Sequence, residues 1–379
     1  MIVGIIPARG GSKRLERKNL RNVLGKPMMQ WAIEACLNSQ HIDAIFVTSE
    51  DEEILELAKS IPVNVITRPK ELARDDVWTQ DVLKHACVAV INRLKENNIS
   101  PKISAIVRVQ ANSPQVTGKK IDECIEKLVT HNLWEVFTVD RQGIEDAAIH
   151  VLKARCVFQN ALSVYKGVVT TDYIDIHTEE DLKSVESRMK INAMISDEFY
   201  DLQDEMKVFL VSLHGKSKKT HSWRIKVSVV QTYKDLLQKA SPEDLEKIIE
   251  NKEDNQKKRV LDLGCGFCPF WPLLEKQGFD DFTGVDLFSL RGKISGADSY
   301  LKDTEDFVDK FCKTSSKTRV IEDDIRHLSS HLEKDEKFDL IFTSNTDYRK
   351  AGSTGIPLEL FDEVCKKYLA EDGIKIFNG

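Results

Sequence analysis

Short apolar runs alternate with amphipathic stretches along the first half of the chain. Val and Ile are frequent in the runs, and between two of them apolar side chains recur at helical spacing, as at Leu83, Ala86 and Val90. Such runs are typical of parallel strands buried on both faces, and the spacing is typical of helices that cover a sheet. The predicted strands are Ile2 to Pro7, Ala44 to Ser49, Asn64 to Arg68, Ala105 to Gln110 and Glu135 to Asp140.

The second half repeats this alternation. From Arg259 the sequence reads as a buried strand, a glycine turn, a helix and a second strand that ends at Asp286. Upstream, Val208 to Leu213 and Arg224 to Val230 are strand-like, and the sequence leaves open whether they complete this sheet or form a cap. Helix starts are expected after Thr178, where an acidic residue follows three positions on, and after Ser241, where a first-turn proline follows.

We therefore predict an α/β protein with two domains, each a mostly parallel sheet flanked by helices. The expected boundaries are 1–190 for the first domain and 259–379 for the second, with 191–258 as a connecting region or cap.

Composition narrows the class of protein. A length of 379 residues with 41% hydrophobic content suffices for two cores. No apolar run reaches the ~18 residues that span a bilayer, and Arg9 interrupts the start too early for a secretion signal, so no membrane insertion and a cytoplasmic location are expected. The eight cysteines are scattered, which favours reduced core residues without a disulfide framework. The net charge of -6 and the lack of a basic stripe with interleaved aromatics argue against nucleic-acid binding.

Basic side chains are nevertheless concentrated in one loop directly after the first predicted strand. The stretch from Ile6 to Leu20 reads IPARGGSKRLERKNL, with a glycine pair at its centre. Glycines let the backbone approach an anion closely, and Arg and Lys offset its charge. We interpret the loop as a polyphosphate site in preference to an ordinary solvated face. The basic residues of the loop, together with Arg21 directly after it, are Arg9, Lys13, Arg14, Arg17, Lys18 and Arg21.

At these residues the chain resembles the CMP-sugar synthetases, the acylneuraminate and 3-deoxy-manno-octulosonate cytidylyltransferases. Three further blocks follow in the family's order: RPKELARDD from Arg68 to Asp76 with His85 beyond it, VQANSP from Val109 to Pro114, and DIHTEEDL from Asp175 to Leu182. Together the blocks cover about residues 1–190. The resemblance implies a nucleotidyltransferase fold and transfer of a cytidylyl group from CTP to an acidic sugar, with Mg²⁺ as cofactor.

The resemblance also implies roles for individual residues. Arg9, Lys13 and Lys18 are the expected catalytic cations on the phosphates, and Asp175 with His177 is the expected metal site. We interpret His85 as a helix residue whose side chain is hydrogen-bonded to a neighbour, in preference to a catalytic group. The expected nucleotide-binding residues are Ala8, Gly10, Gly11, Ser12, Asn19, Arg68, Gln110 and Ser113.

Several positions depart from the family pattern. Glu16 stands where a proline is usual, and Val116 where the third block normally ends in arginine. His177 replaces a second metal-binding aspartate, although one carboxylate can suffice because Mg²⁺ keeps waters and takes phosphate ligands. The usual Asn-Gly near the sugar is Asn160-Ala161, and the stretch from Val139 to Asp175 is shorter than the arm through which these enzymes dimerise. Whether the protein forms a homodimer therefore stays open.

The second half resembles the class I S-adenosylmethionine methyltransferases. Gly264 and Gly266 would let the backbone approach the cofactor, and Asp286 would accept hydrogen bonds from the ribose. The stretches VIEDDI from Val320 and FDLIFTSN from Phe338 resemble two further blocks. Zinc binding by the Cys265-x-x-Cys268 pair is not expected, because no second pair completes a tetrahedral site. The implied cofactor-binding residues are Asp262, Gly264, Gly266, Asp286 and Asp324.

These observations predict a bifunctional enzyme of a surface glycan pathway, a cytidylyltransferase fused to a methyltransferase, whose partners are small molecules. Two alternatives stay open. In one, the second domain is a non-catalytic structural module, as Cys268 at the usual third-glycine position would favour. In the other, the first domain is a regulatory nucleotide-binding module attached to a methyltransferase, as His177 would favour.

Overall fold

The computed structural model describes residues 1–96, 102–159, 163–195, 197–214, 229–250, 258–266, 268–286, 300–313, 316–343 and 356–377. The chain divides into two compact units, Met1–Glu186 and Ser187–Gly379, and the boundary falls inside a helix. The predicted Asn160-Ala161 position and the end of the FDLIFTSN block lie outside the described residues.

The first unit is built on a seven-stranded sheet in which β8 alone is antiparallel to its neighbours. The sheet order is β5-β4-β1-β6-β8-β7-β9, and a separate two-stranded ribbon joins β2 to β3. The strands are β1 Ile2–Pro7, β2 Asn22–Val23, β3 Lys26–Pro27, β4 Ala44–Ser49, β5 Asn64–Thr67, β6 Ala105–Val109, β7 Glu135–Val139, β8 Glu145–Lys153 and β9 Lys166–Thr170.

All five strands predicted for this half are confirmed. β1 and β4 have the predicted bounds, and β5, β6 and β7 end one residue earlier than expected. The strands β8 and β9 lay outside the predictions. β8 follows β7 through a short turn, so the two form an antiparallel hairpin within a sheet that is otherwise parallel, in agreement with the predicted mostly parallel sheet.

Helices cover both faces of this sheet. Leu83, Ala86 and Val90 are buried against residues of β1 and β4, which confirms the predicted apolar stripe. The opposite face is covered by three other helices, whose buried residues join those of the strands in a second cluster. The helices of the unit are α1 Met28–Leu37, α2 Glu52–Lys59, α3 Thr79–Glu96, α4 Gly118–Thr130 and α5 Glu179–Met194, the last of which continues into the second unit.

Side chains fix where these helices begin. Asp51 accepts the amide of Ile54 at the start of α2. At the start of α5, the Thr178 hydroxyl accepts the Asp181 amide at 3.1 Å, and the Asp181 carboxylate accepts the Thr178 amide at 2.8 Å. This reciprocal pair is a capping box with aspartate as its acid, and it confirms the predicted helix start.

The second unit contains a five-stranded parallel sheet in the order β12-β11-β10-β13-β14. This order reverses between β10 and β13, and the ends of strands at such a switch point form a crevice. The strands are β10 Arg259–Leu263, β11 Asp281–Asp286, β12 Lys317–Glu322, β13 Phe338–Thr343 and β14 Leu369–Ile376. The predicted strands from Arg259 and Phe338 are thereby confirmed.

The helices of this unit correct one expectation. Val208 to Leu213, predicted as strand-like, lies inside a helix, and so do Val229 and Val230, whereas 224–228 lie outside the described residues. In the helix that contains Val208, apolar residues at 199, 202, 206 and 209 recur at helical spacing and join one core cluster, and this periodicity overrides the strand-like appearance of the segment. The helices are α6 Asp197–His214, α7 Val229–Leu237, α8 Pro242–Glu250, α9 Trp271–Glu275, α10 Tyr300–Phe311 and α11 Leu358–Tyr368.

Two further expectations, the cap of one helix and the burial of the cysteines, agree with the structure. The Ser241 hydroxyl accepts the Asp244 amide at 3.1 Å and caps α8 as predicted. All eight cysteines are free and buried, and burial raises the pKa of the Cys36 thiol to about 12. Within the described parts of the chain, no helix combines the length and the apolar character that a bilayer span requires.

Candidate functional site

The basic loop lies at the edge of the first sheet where the parallel strands β1, β4 and β6 end. It follows β1, while Glu50 and Asp51 follow β4, and the turn from Gln110 to Ser113 follows β6. Because carboxyl ends of parallel strands share one edge, the topology gathers these three segments.

A buried ion pair between Arg68 and Glu50 lies beneath the loop and contacts its backbone. The Arg68 guanidinium donates to Glu50 Oε2 from Nε at 2.9 Å and from Nη2 at 2.6 Å, and Nη2 lies 3.4 Å from the Ala8 carbonyl oxygen. The Arg68 side chain is 3% exposed and that of Glu50 is 13% exposed. The predicted nucleotide-binding residue Arg68 therefore lies beneath the loop, where it positions Glu50 and the backbone of Ala8.

Gly10 is held against that ion pair. Its amide donates to Glu50 Oε1 at 2.8 Å, so one carboxylate links Arg68 to the loop. A Cβ on Gly10 would lie 2.1 Å from Asp51 Oδ2 and 2.7 Å from Asp51 Cβ, whereas a Cβ on Gly11 would meet nothing within 4 Å. A side chain at position 10 would thus clash with Asp51. At position 11 no atom lies close to the backbone, so this side of the loop is open.

Two of the predicted catalytic cations share one acid at the outer side of the loop. Arg9 Nη1 lies 2.6 Å from Asp75 Oδ1, and Lys13 Nζ lies 2.6 Å from Asp75 Oδ2. The two hydrogen-bonded cations, Lys13 first, lower the pKa of Asp75 below its usual value. Sequence reasoning quoted Asp75 only as part of a block and assigned it no role.

The remaining cations of the loop divide by their partners. Arg17 pairs with Asp51, with Nη1 and Oδ2 3.0 Å apart, and also with Glu53, which ties the loop to α2. Arg21 pairs with Glu179 at the start of α5. Arg14 is exposed and has no ion-pair partner among the described residues. Arg17 and Arg21 therefore anchor the loop to helices. Arg9 is no more exposed than they are, at 39%, but it and Lys13 pair with an acid that is 47% exposed, so these two cations and Arg14 lie on the outer side of the loop.

Lys18 lies deeper and connects the loop to the fourth block. Its ammonium donates to the Ile176 carbonyl oxygen at 2.8 Å. Burial lowers the pKa of Lys18, and the Asp175 carboxylate opposes this shift. The neighbouring Asn19 is buried and donates to the Arg9 carbonyl oxygen at 2.9 Å, so it shapes the loop backbone. The structure thus brings Lys18 to Asp175, two predicted site residues 157 positions apart in sequence.

Asp175 and His177 form a candidate metal site. Asp175 Oδ2 and His177 Nε2 lie 2.9 Å apart and contact each other directly, so an ion bound here would replace this contact. Asn112 donates to the other Asp175 oxygen, a contact that sequence reasoning missed. No group of three or more His, Cys, Asp or Glu residues able to hold a metal occurs in the described part of the chain. An ion here would need water or substrate oxygens as further ligands.

The other predicted residues of this edge take supporting positions. The Gln110 amide donates to the Ala148 carbonyl oxygen at 3.0 Å, and the buried Ser113 donates its amide to Gln110 at 3.3 Å. Ser12 is half-buried beside the glycine pair. His85 lies in α3 as expected, but the expectation of a satisfied side chain is wrong at Nδ1, which is buried and has no hydrogen-bond partner among the residues that the structure describes.

The second unit places its glycine turn at the switch point of its sheet. Gly264, with φ of 77°, donates its amide to Val285 at 2.8 Å, and the Gly266 amide donates to Asp286 Oδ2 at 2.8 Å. Asp286 is 5% exposed. Asp262 is fully buried and accepts the Trp271 indole N–H at 3.1 Å. Asp286 therefore accepts a hydrogen bond from the turn, and Asp262 accepts one from the helix that follows the turn.

The last predicted cofactor residue also has a local partner. Asp324 caps the short 3-10 helix Ile325–Ser330 by accepting the Arg326 amide at 2.9 Å, and its carboxylate pairs with the Arg326 side chain. These hydrogen bonds and the ion pair lower the pKa of Asp324 to about 2. It follows β12, at the same edge of the sheet as the glycine turn.

A mostly parallel α/β sheet with a basic glycine loop after its first strand defines a phosphate-binding class of protein, to which nucleotidyltransferases belong. Residues 3–166 match the family model described as Cytidylyltransferase, which supports that family for the first unit. The second unit lies beyond this match.

Individual relatives agree with the family match. Pseudaminic acid cytidylyltransferase of Campylobacter jejuni is 43% identical over 83 residues, 22% of this chain and 36% of that protein. N-acylneuraminate cytidylyltransferase of Escherichia coli is 39% identical over 85 residues, 22% of this chain and 20% of that protein. 3-Deoxy-manno-octulosonate cytidylyltransferase of Bdellovibrio bacteriovorus is 30% identical over 129 residues, 34% of this chain and 46% of that protein.

The chain thus spans less than half the length of these relatives. Among solved structures, a CMP:2-keto-3-deoxy-manno-octonic acid synthetase complexed with CTP aligns with 50% of this chain and 98% of its own, at 17% identity and a TM-score of 0.39. This score is too low to identify a shared fold, so the support for the cytidylyltransferase family in the first unit comes from the sequence matches alone.

The glycine pair provides a test of the loop geometry. We expect Gly10→Ala to destabilise the first unit by about 1–3 kcal/mol, because the new methyl group displaces Asp51 from both the α2 cap and Arg17. Gly11→Ala is the matched control and should change stability little, because its methyl group meets no atom. Thermal unfolding followed by circular dichroism measures both, and equal midpoints for the two variants would contradict the geometry.

Proposed function

We propose that the first unit transfers a cytidylyl group from CTP to an acidic sugar and releases pyrophosphate. The observation that carries this proposal is the outward-facing basic loop, at the carboxyl edge of β1, inside the segment that matches cytidylyltransferases. The three relatives are named for pseudaminic acid, N-acylneuraminate and 3-deoxy-manno-octulosonate, which are all acidic sugars. An acceptor of this class, and a role in surface glycan synthesis, follow as proposals.

The proposed reaction needs charge neutralisation more than an acid or base. A hydroxyl oxygen of the acceptor attacks the α-phosphorus and gives up its proton to water. The bond from that phosphorus to the bridging oxygen breaks, and pyrophosphate leaves with the electron pair. Arg9 and Lys13 face outward and can hold the departing phosphates, while the exposed Gly11 lets the backbone approach them. Lys18, fixed on the Ile176 carbonyl oxygen, adds a cation deeper in the site.

Mg²⁺ fits this site through Asp175, with Asn112 orienting the carboxylate and His177 as a neighbour. When bound, the ion would offset negative charge on the phosphates. The oxygen ligands that Mg²⁺ prefers would come from Asp175, water and the triphosphate, because imidazole is a poorer ligand for it.

Turnover of CTP tests the proposal directly. We expect purified protein to release pyrophosphate from CTP with one member of a panel of acidic sugars, and Lys18→Ala and Asp175→Ala to lower kcat/KM by about 10- to 100-fold each. The matched control is Lys59→Ala, at the exposed end of α2. Normal rates in a site variant would remove that residue from the site. No turnover with any acceptor, despite CTP binding, would favour a regulatory nucleotide-binding module.

Lys18 also predicts a pH dependence. Burial disfavours its charged form, so in the free protein the ammonium loses its proton at a lower pH than an exposed lysine would. We therefore expect kcat/KM for CTP to fall as pH rises through this lowered pKa, since the cation on the phosphates is lost. In Lys18→Arg the fall should move to higher pH, because a guanidinium stays charged. Identical pH profiles for the two proteins would contradict this role.

As a second candidate function, we propose that the second unit binds S-adenosylmethionine at its glycine turn. The support is the position of Gly264 and Gly266 at the switch point of a parallel sheet, with Asp286 at the end of the adjacent strand. Asp286 is bound to the Gly266 amide, so a ribose would have to compete with this hydrogen bond for the carboxylate. The cofactor, when bound, would supply the methyl group.

Calorimetric titration with S-adenosylmethionine separates a cofactor-binding unit from a structural one. We expect a binding signal that Asp286→Ala weakens by about tenfold, the loss of a hydrogen bond to a charged group. Asp281→Ala is the matched control, since Asp281 begins the same strand at the opposite edge and pairs with Arg259. A wild-type protein without any signal would support the structural module.

A further inference from the structure

One carboxylate holds the two outward cations of the basic loop together. Asp75 offers one oxygen to Arg9 and the other to Lys13, each at 2.6 Å. Two oxygens of one anion, each bound by a different cation, form the arrangement that a phosphate group would make with the same side chains. Asp75 thus lies where the proposed function places the triphosphate.

The loop that carries Asp75 can release this contact. Asp75 follows the short 3-10 helix Lys70–Ala73 and precedes α3. Its side chain is 47% exposed, and that of Lys13 is 83% exposed. Exposed ion pairs contribute little free energy, so a competing anion can replace the carboxylate at low cost.

The other acids around the loop differ from Asp75. Glu50 is buried with Arg68 and also accepts the Gly10 amide, so its removal would leave a buried charge unpaired. Asp51 caps α2 as well as pairing with Arg17. Asp75 makes its two ion pairs only to cations that face outward.

We infer that Asp75 is an internal competitor of the polyphosphate: it neutralises Arg9 and Lys13 in the free protein and is displaced when a polyphosphate binds. This inference rests on the proposed function for the identity of the natural ligand. A carboxylate has one negative charge and pyrophosphate has several, so multiply charged anions displace it more readily than singly charged ones. Its return to the two cations after reaction would favour release of pyrophosphate.

The next residue in the chain supplies a matched control. Asp76 pairs with Arg74, two positions away, and with no cation of the basic loop. Its side chain is 64% exposed, similar to that of Asp75. Asp76→Asn therefore makes the same chemical change in the same loop without touching the proposed phosphate position.

The test is calorimetric titration with inorganic tripolyphosphate, which requires neither an acceptor sugar nor turnover. We expect Asp75→Asn to bind tripolyphosphate about fivefold more tightly than the wild type, a factor that corresponds to the loss of its two weak surface ion pairs. Asp76→Asn should bind with unchanged affinity, and Asp75→Glu, which keeps the charge, should stay near the wild type. Thermal midpoints equal to that of the wild type establish that the variants fold.

Each other outcome is decisive. Weaker binding by Asp75→Asn would overturn the inference, because it would show that Asp75 positions the two cations for the ligand. Unchanged binding, or a wild type that binds no tripolyphosphate, would overturn it as well. Failure of the proposed function looks different: tripolyphosphate binding would tighten in Asp75→Asn as expected, while the wild type turned over no CTP.

Discussion

The candidate site of the first unit depends on the buried ion pair between Arg68 and Glu50. Burial of two charges costs free energy unless their hydrogen-bonding groups are satisfied, and here Glu50 also accepts the Gly10 amide while Arg68 approaches the Ala8 carbonyl oxygen. The pair therefore fixes the backbone of the loop at the end of β1. With that backbone fixed, Arg9 and Lys13 can face outward.

Acidic neighbours then decide which cations of the loop are available to a ligand. Arg17, with two acids, and Arg21, with one, fasten the loop to α2 and α5. Arg9 and Lys13 share a single exposed carboxylate, and Lys18 is bound to a carbonyl oxygen. A count of positive charges in the sequence thus overstates the free charge of the loop.

The sequence predicted the parts of this architecture that depend on local patterns. Strands with continuous apolar runs, such as Ile2–Pro7, and the stripe on α3 were found because their periodicity is local. β8 was missed because its apolar residues are interrupted by His150 and preceded by acids. The supporting role of Arg68 and the contact of Asn112 with Asp175 depend on residues 18 and 63 positions away, respectively, which no local pattern reveals. For the supporting role of Arg68, the available sequence signal was Glu50, an acid that directly follows a buried strand.

The two units show why a glycine turn after a strand does not by itself establish a ligand site. In the first unit a buried acid, Glu50, also accepts an amide of the glycine turn, but Arg9 and Lys13 beside it pair with the exposed Asp75, so a ligand can reach them without breaking a contact of the core. In the second unit Asp286 is almost wholly buried on the Gly266 amide, and Asp262 is buried on the Trp271 indole. The same sequence pattern can therefore stabilise its own turn, and the exposure of the adjacent charges is what distinguishes a site that is open to ligand from one that is already satisfied.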